Sequence, residues 1–343
     1  MNYFNTLSVY FRHRLGTRAQ KIPLDAGSGC PNRDGTISKG GCTFCNPVGS
    51  GSGMGLAGRT LEEQWAIWRA RYARSRRAES YIAYLQSFSN TYGSPLRLKN
   101  MLDEIQALEG VVGVSVGTRP DCLDEEKLDI LAGSPLREVW LELGVQTSHD
   151  ASLERVNRGH GVAASELAIG AAAERGLRVC AHLIFGLPGE TRADMLRTVD
   201  WINTLPVLGV KFHCLYVCRG TALAHEWERG RYAPMLREEY VSLLVEVLSR
   251  LRSDIVVHRL VGEPAADELL APSWAADKRS VGNDIINALA AQGLWQGCRN
   301  DAPERPLWFD NPLDLPKAGL AAHAAALAAL RAVNSFYRCS EDA

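Results

Sequence analysis

The chain lacks a long apolar run. Its longest apolar-rich stretch without a charge, Ala318 to Leu330, falls short of the roughly 20 residues that cross a bilayer, so no membrane partner is expected. It also lacks a surplus of either charge, with 38 basic residues against 39 acidic ones and a formal net charge of -1. A basic nucleic-acid-binding domain usually declares itself in that total, although the total says nothing of a local patch. The opening residues, MNYFNTLSVYFRHRLG, lack the apolar core and small-residue cleavage site of a secretory signal, and the cytoplasm is the expected compartment. Without export, nine cysteines do not make a disulfide framework, because the cytosol keeps thiols reduced and an odd number cannot fully pair. Metal ligation or simple burial has to account for them. What is present is an ordinary globular composition: 343 residues, 46% apolar and 22% charged, long enough to bury a sizeable core.

Short runs rich in Val, Ile and Leu alternate with longer helical patterns, the rhythm of repeated βα units around a parallel sheet. The expected strands are Lys21 to Asp25, Tyr81 to Phe88, Val112 to Thr118, Glu138 to Gln146, Arg178 to Gly186, Gly209 to Val217 and Ile255 to Val261. Helices are expected near 60–78, 95–109, 123–133, 148–157, 163–175, 190–204 and 235–252. Thr60 and Glu63 make a capping box that starts the first of them. Six or seven such units in about 260 residues suit a complete or partial TIM-type α/β barrel better than an open doubly wound sheet. The barrel is expected to occupy residues 1–252. Residues 253–343 read as a mostly helical C-terminal extension, with a helix around Val281 to Gln292, a Pro-rich stretch from Ala302 to Pro316 and an Ala-rich helix from Gly319 to Tyr337.

One segment breaks the rhythm. Gly27 to Gly55 holds nine of the 31 glycines and only three charged residues, Arg33, Asp34 and Lys39, and a structureless loop that long inside a compact domain is usually functional. It carries Cys30 and, eleven residues later, the run Cys42-Thr43-Phe44-Cys45. A CxxC turn presents two thiolates to one metal centre, and the loop lets a third return to it. Structural zinc normally takes four protein ligands, and no fourth Cys or His lies within or just after the loop, so His13 or Cys122 would have to serve from a distance. Three thiolates on a 4Fe-4S cluster would instead leave one iron free to bind a cofactor. The loop directly follows the first strand, and functional groups in barrels gather at the C-terminal ends of strands.

The stretch KIPLDAGSGCPNRDGTISKGGCTFCN resembles the cluster loop of the radical S-adenosylmethionine (radical SAM) proteins of the YhcC-like family, relatives of the catalytic subunit of Elongator. The resemblance continues through Gly117-Thr118-Arg119-Pro120-Asp121-Cys122, Leu141-Glu142-Leu143-Gly144-Val145-Gln146-Thr147 and Asn157-Arg158-Gly159-His160. It goes on through His182-Leu183-Ile184-Phe185-Gly186-Leu187-Pro188-Gly189-Glu190, His258-Arg259-Leu260 and Trp295-Gln296-Gly297, and covers about residues 1–298. The departure from the common CxxxCxxC spacing is itself what this family shows. The resemblance implies a partial TIM-type (βα)6 radical SAM barrel with a 4Fe-4S cluster at its top, held by Cys30, Cys42 and Cys45. S-adenosylmethionine (SAM) would bind the open iron through its amino and carboxylate groups. An electron, supplied by a donor such as flavodoxin or ferredoxin, would cleave SAM to methionine and a 5′-deoxyadenosyl radical that abstracts hydrogen from a substrate. The cofactor carries the hard chemistry in such an enzyme, and the protein positions it.

Alternation along a strand puts Glu142, Gly144 and Gln146 on one face of the fourth strand and Leu141, Leu143 and Val145 on the other. Polar groups inside a barrel need partners, so Glu142 and Gln146 belong either to an internal network or, as the resemblance implies, to SAM binding. Gln86, with Ser87, Ser89 and Asn90 after it, stands where related enzymes contact the methionine moiety, without the Gly-Gly-Glu often found there. Arg158 either grips a carboxylate bidentately or is a solvated residue at a helix end. Gly186 and Gly189 permit close backbone approach, to adenine or ribose in the functional reading. As structure alone, their segment is a strand-to-helix turn with Glu190 in the first helical turn. His182, Lys211 and His213 are the catalytic candidates, set against the ordinary structural role of an interior histidine. Cys214 and Cys218 fall on the opposite strand face and read as buried thiols.

Arg69, Arg71, Arg74, Arg76 and Arg77 form a basic run at a helix end, ordinarily a solvated face. Together with Arg12, Arg14 and Arg18 it offers contacts to phosphates, and the Elongator resemblance makes a tRNA wobble uridine the substrate of choice. The competing reading is a metal-stabilised RNA-binding or scaffold protein without radical chemistry.

Overall fold

The computed structural model describes residues 1–310 except 48, 50–53, 56, 76, 77, 79 and 266, and leaves the side chains of 74 and 75 undescribed. The Ala-rich helix expected from Gly319 to Tyr337 lies outside the described residues, as do Cys339, Arg76 and Arg77. Seven parallel strands form one sheet in an order that follows the chain. They are β1 (Ala19–Leu24), β2 (Ser80–Leu85), β3 (Val111–Thr118), β4 (Glu138–Gln146), β5 (Arg178–Phe185), β6 (Gly209–Cys214) and β8 (Val256–Arg259). All seven expected strands are present. The sheet curls far enough for side chains of its two edge strands to meet, with Lys21 Nζ of β1 3.4 Å from His258 Nδ1 of β8. The fold is therefore a partial barrel.

The sixth expected strand is shorter than its pattern. It ends at Cys214, and the two-residue β7 (Val217–Cys218) leaves the barrel to pair antiparallel with β9 (Leu269–Ala271). The outer face of the sheet is covered by α2 (Leu61–Ser75), α3 (Pro95–Gln106), α4 (Glu125–Ala132), α6 (Val162–Glu174), α7 (Arg192–Thr204) and α9 (Arg237–Arg250). The expected capping box is formed, with Glu63 N donating to Thr60 Oγ1 at 3.1 Å and Thr60 N to Glu63 Oε2 at 3.0 Å. Strand alternation decides what faces these helices. Ile22, Leu24, Ala83, Leu85, Leu141, Leu143 and Val145 join the apolar core between sheet and helices, which turns Lys21, Tyr84 and Glu142 inward.

The floor of the barrel is apolar and comes partly from α1 (Leu7–Leu15), a helix the sequence pattern does not announce. Tyr10, Phe11 and Leu15 pack with Ile82, Trp140, Cys180 and Val256. The Trp140 ring stands only 3.0 Å from where a Cβ at Gly209 would be, so a side chain there would collide with the plug. Glu138, buried at the floor, accepts from Tyr10 Oη and Trp140 Nε1, both at 3.1 Å, and from Arg14 Nε.

Residues past 252 are part of the same sheet, so the barrel runs further than the expected extent of 1–252. β8 pairs with β6, and Val257 N donates to Asn5 O at 2.7 Å. Gln296, from the Trp-Gln-Gly motif, ties the N-terminal segment to the chain before β8: it accepts from Asn5 N and donates to Arg252 O and Ile255 O. The helix expected around Val281 to Gln292 is α10 (Lys278–Gln292), packed on α9. Two short helices, α5 (Asp150–Arg155) and α8 (Ala222–Glu228), lie beside the mouth. If α1 seals the floor, Phe11→Ala should cost about 3–5 kcal/mol in urea unfolding; a loss below about 0.5 kcal/mol, that of an ordinary surface change, would show that it does not.

Candidate active site

The cysteine loop lies beyond the C-terminal end of β1, where the strand polarity of a parallel barrel collects functional groups. It is fastened from several sides. Asn32 Nδ2 donates to Asn157 O at 2.6 Å, and Asn157 Nδ2 returns a bond to Gly41 O at 2.7 Å. Ser89 N donates to Gly29 O, and Thr43 N to Val156 O. Arg119, paired through two bonds with Asp121, donates to Arg158 O at 2.8 Å. Gly159, at φ 77°, leaves no room for a side chain: a Cβ would stand 2.7 Å from Asn32 Oδ1. Three motifs far apart in the chain thus meet on one loop.

The sulfurs have donors aimed at them. Arg158 Nη1 and Asn32 Nδ2 each lie 3.6 Å from Cys42 Sγ, and Arg33 Nη1 lies 3.7 Å from Cys45 Sγ. Burial pushes the Cys45 thiol up to about 11, reinforced by Cys42 and Cys30 and opposed by Arg33 and Arg158. Cysteine ligates metal as the thiolate, so a centre bound there would displace the Cys45 proton. Three cysteines with donors at two of the sulfurs are a fitting donor set for an iron-sulfur cluster. Among the described residues no three His, Cys, Asp or Glu side chains close around a single metal ion. The two distant candidates for a fourth zinc ligand differ. His13 is exposed on α1 at the opposite end of the barrel, whereas Cys122 is buried near Cys30, whose charge acts on its thiol.

Arg158 is buried, which removes the solvated reading. Its Nη2 donates to Gly144 O at 2.7 Å, while its Nε is shielded and lacks a partner among the described residues. A Cβ at Gly144 would lie 2.6 Å from Arg158 Nη2 and 2.9 Å from Gln146 Nε2, so a side chain there would push both of those ends aside. Gln146 itself is buried with φ 75°, a left-handed backbone rare outside glycine. Gln86 follows β2 at the same end of the barrel, half-buried beside Gly117. Gly186 and Gly189, at φ 89° and 86°, line a cavity of about 600 Å³ together with Thr43, Leu223 and Tyr232. Glu190 is not in the first helical turn. It precedes the cap Thr191 and accepts from Thr147 Oγ1 at 2.6 Å, and burial raises its carboxyl.

Below this mouth lies an ionic layer. Glu142 is fully buried, and its oxygens accept from Lys21 Nζ at 2.5 Å, from His182 Nε2 at 2.8 Å and from Lys211 Nζ. Burial alone would raise the Glu142 carboxyl, but the Lys21 and Lys211 ammoniums and His182 hold it well below the usual range. Burial lowers His182 to about 4, helped by Lys211, so its ring is neutral near pH 7. His213 lies with its ring 5.7 Å from that of His182, and burial also keeps it neutral. Both oxygens of Glu142 have protein partners, as in the internal-network reading. Sequence reasoning missed Lys21, Tyr84 and Arg33. Lys21 was detectable as a charge at an inward position of an otherwise apolar strand. Cys214 and Cys218 are buried as expected.

Glu142→Gln would leave two buried ammoniums without their anion and should cost about 3–5 kcal/mol, measured by denaturant unfolding; a change within about 0.5 kcal/mol would mean the layer is not electrostatically coupled.

The Radical SAM superfamily model matches residues 27–202, and the Radical_SAM C-terminal domain model matches residues 207–291. Protein YhcC of Escherichia coli (strain K12) is 39% identical over 267 residues, 77% of this chain and 85% of that one. The uncharacterized protein YtqA of Bacillus subtilis (strain 168) is 35% identical over 295 residues, 86% of this chain and 92% of that one. Among solved structures, the archaeal Methanocaldococcus infernus Elp3 with an N-terminal deletion shares the fold, with a TM-score of 0.63 and 18% identity over 81% of this chain and 64% of that one. No helix among the described residues is long and apolar enough to cross a membrane. Motifs and matches agree: this chain belongs to the Radical SAM superfamily, alongside YhcC and YtqA, and is an enzyme of a class that implies a 4Fe-4S cluster and SAM.

Proposed function

We propose that Cys30, Cys42 and Cys45 hold the 4Fe-4S cluster, that SAM binds between the cysteine loop and the barrel mouth, and that the substrate enters the barrel from there. The observation that carries this reading is the set of cationic and amide donors aimed at the sulfurs of one glycine-rich loop. A 4Fe-4S cluster held by these cysteines would supply the electron for reductive cleavage of SAM to methionine and a 5′-deoxyadenosyl radical. The chain's own residues do the rest. Arg158 holds Cys42 against the end of β4, and Gln146 and Gln86 offer amides for the amino-acid part of SAM. Supporting an adenosine position by Gly186 and Gly189 is the cavity that their left-handed turns line. Glu142 acts through Lys21, Lys211 and His182, fixing their positions. Lys211, His182 and His213 face the substrate from below, and the neutral imidazoles are able to accept a proton.

A flavodoxin or ferredoxin is the proposed electron donor. A tRNA wobble uridine is the proposed substrate, supported by the motif resemblance to the Elongator subunit. The basic residues offered for phosphate contact support it weakly, since Arg69 pairs with Glu109 and Arg14 with Glu138. Arg71 stacks on Trp68, and the side chains of Arg74, Arg76 and Arg77 lie outside the described residues.

Anaerobic reconstitution should load about four irons per chain and, with dithionite and SAM, yield 5′-deoxyadenosine; a fully loaded protein that makes none would reject the reading. Cys42→Ala should lose the iron and keep the fold by circular dichroism. Gly144→Ala, which displaces Arg158, should retain the fold and lower iron occupancy; unchanged occupancy would remove Arg158 from the support of the cysteines. Nucleoside profiling of tRNA from a strain lacking the gene should show a missing wobble modification, and an unchanged profile would remove tRNA as substrate.

A further inference from the structure

The interior layer of the barrel carries more positive than negative charge. Lys21 of β1 and Lys211 of β6 both bond to Glu142, and a third cation joins them through an irregularity in β8. Gly209 pairs with Val256 and Val210 with Val257, but Lys211 pairs with Arg259, so β8 has one residue more than β6 over this stretch. Such a bulge re-aims side chains, and both His258 and Arg259 reach the inner layer. His258 Nε2 lies 2.8 Å from where a Cβ at Gly209 would be. The charge of Arg259 acts on Lys211, His182, His213 and Tyr84, four groups of the interior wall.

Among the described residues, Arg259 has neither a hydrogen bond nor an ion pair. His213 Nε2, shielded from solvent, also lacks a partner. The histidines are held neutral and add no charge of either sign. The next carboxylate along, Glu268, accepts from the neutral amide of Asn46 and forms no ion pair with Arg259 among the described residues. Three cations therefore stand around the carboxylate of Glu142, Lys211 buried and Lys21 and Arg259 half-buried, and the two lysines already share its oxygens. A cavity of about 310 Å³ at the seam between the N-terminal segment and β8 adjoins His258 and Arg259.

We propose that this layer is an anion site: Lys21, Lys211 and Arg259, with His213, take a carboxylate or phosphate group carried by the substrate. As a statement about the substrate, this rests on the radical SAM reading above. As a binding site, it stands on the charge arrangement alone. The anion has two conceivable sources, a group of the substrate and the carboxylate of SAM itself, and the substrate is the one proposed.

The test uses the full chain and inorganic phosphate as probe. Thermal unfolding should show a saturable rise in melting temperature with phosphate that chloride at equal ionic strength does not give. Arg259→Gln should melt within about 2 °C of the wild type without phosphate and should bind phosphate about tenfold more weakly or worse. Arg259→Lys should retain binding. Equal responses to phosphate and chloride would overturn the proposal without any variant, as would unchanged phosphate affinity in a folded Arg259→Gln. Saturating SAM should leave phosphate binding intact in the reconstituted protein; competition between them would assign the site to SAM and overturn the substrate claim. Cys42→Ala protein, lacking the cluster, should still bind phosphate. A preparation that makes 5′-deoxyadenosine but ignores phosphate sinks this inference alone, whereas one that binds phosphate but makes none sinks only the radical reading.

Discussion

Thiolates crowded on one half-buried loop repel one another unless positive charge is brought to them, and this barrel brings it. Arg33 and Arg158 each approach one of the sulfurs, Cys45 and Cys42 respectively. Arg158 is itself fixed by the Gly144 carbonyl, and Arg119 secures the backbone carbonyl of Arg158. Guanidinium groups suit the task because they stay charged wherever they are buried and form several bonds in one plane. The glycine at 144 and the left-handed residues Asn157 and Gly159 are consequences of packing such groups against backbone. Of these only Asn157, at φ 53°, sets a side-chain-bearing residue in the left-handed region, which glycine takes freely.

The rest of the barrel follows as three layers. The floor is aromatic and aliphatic, plugged by Trp140 and α1. Above it comes the ionic layer around Glu142, and above that the sulfur-bearing mouth. The layers differ in what they exclude. An apolar floor keeps water from entering behind the reactive space, and an ionic layer with few free valences admits only groups that complete its bonding. A reactive intermediate formed at the mouth would therefore meet the substrate and little else.

Much of this was legible from residue types at known spacing. Glu138–Gln146 matched its expected strand end to end because alternation and length agreed there, and the Thr60 and Glu63 box announced its helix directly. The inward parity of Glu142 was equally plain, whereas β4 is irregular between Leu143 and Gln146, so simple alternation does not carry over to Gln146. What could not be read were consequences of tertiary packing. Helix α1 has several basic residues and a thin apolar stripe, and its helical state follows from its docking on β1 and β8. The bulge that turns Arg259 inward leaves no trace in composition, since a single extra residue in a strand reverses every later side chain. Arg158 read equally well as solvated or buried, because the loop it clamps lies more than a hundred residues earlier. The break between β6 and β7 was hidden by an unbroken apolar run.

The central claim is that three cysteines hold a cluster with a position left for SAM. The most direct test is the electron paramagnetic resonance spectrum of the reconstituted, dithionite-reduced protein, recorded with and without SAM. The account predicts a reduced 4Fe-4S signal whose shape changes when SAM is added. A signal identical in both samples, from fully loaded protein, would contradict it.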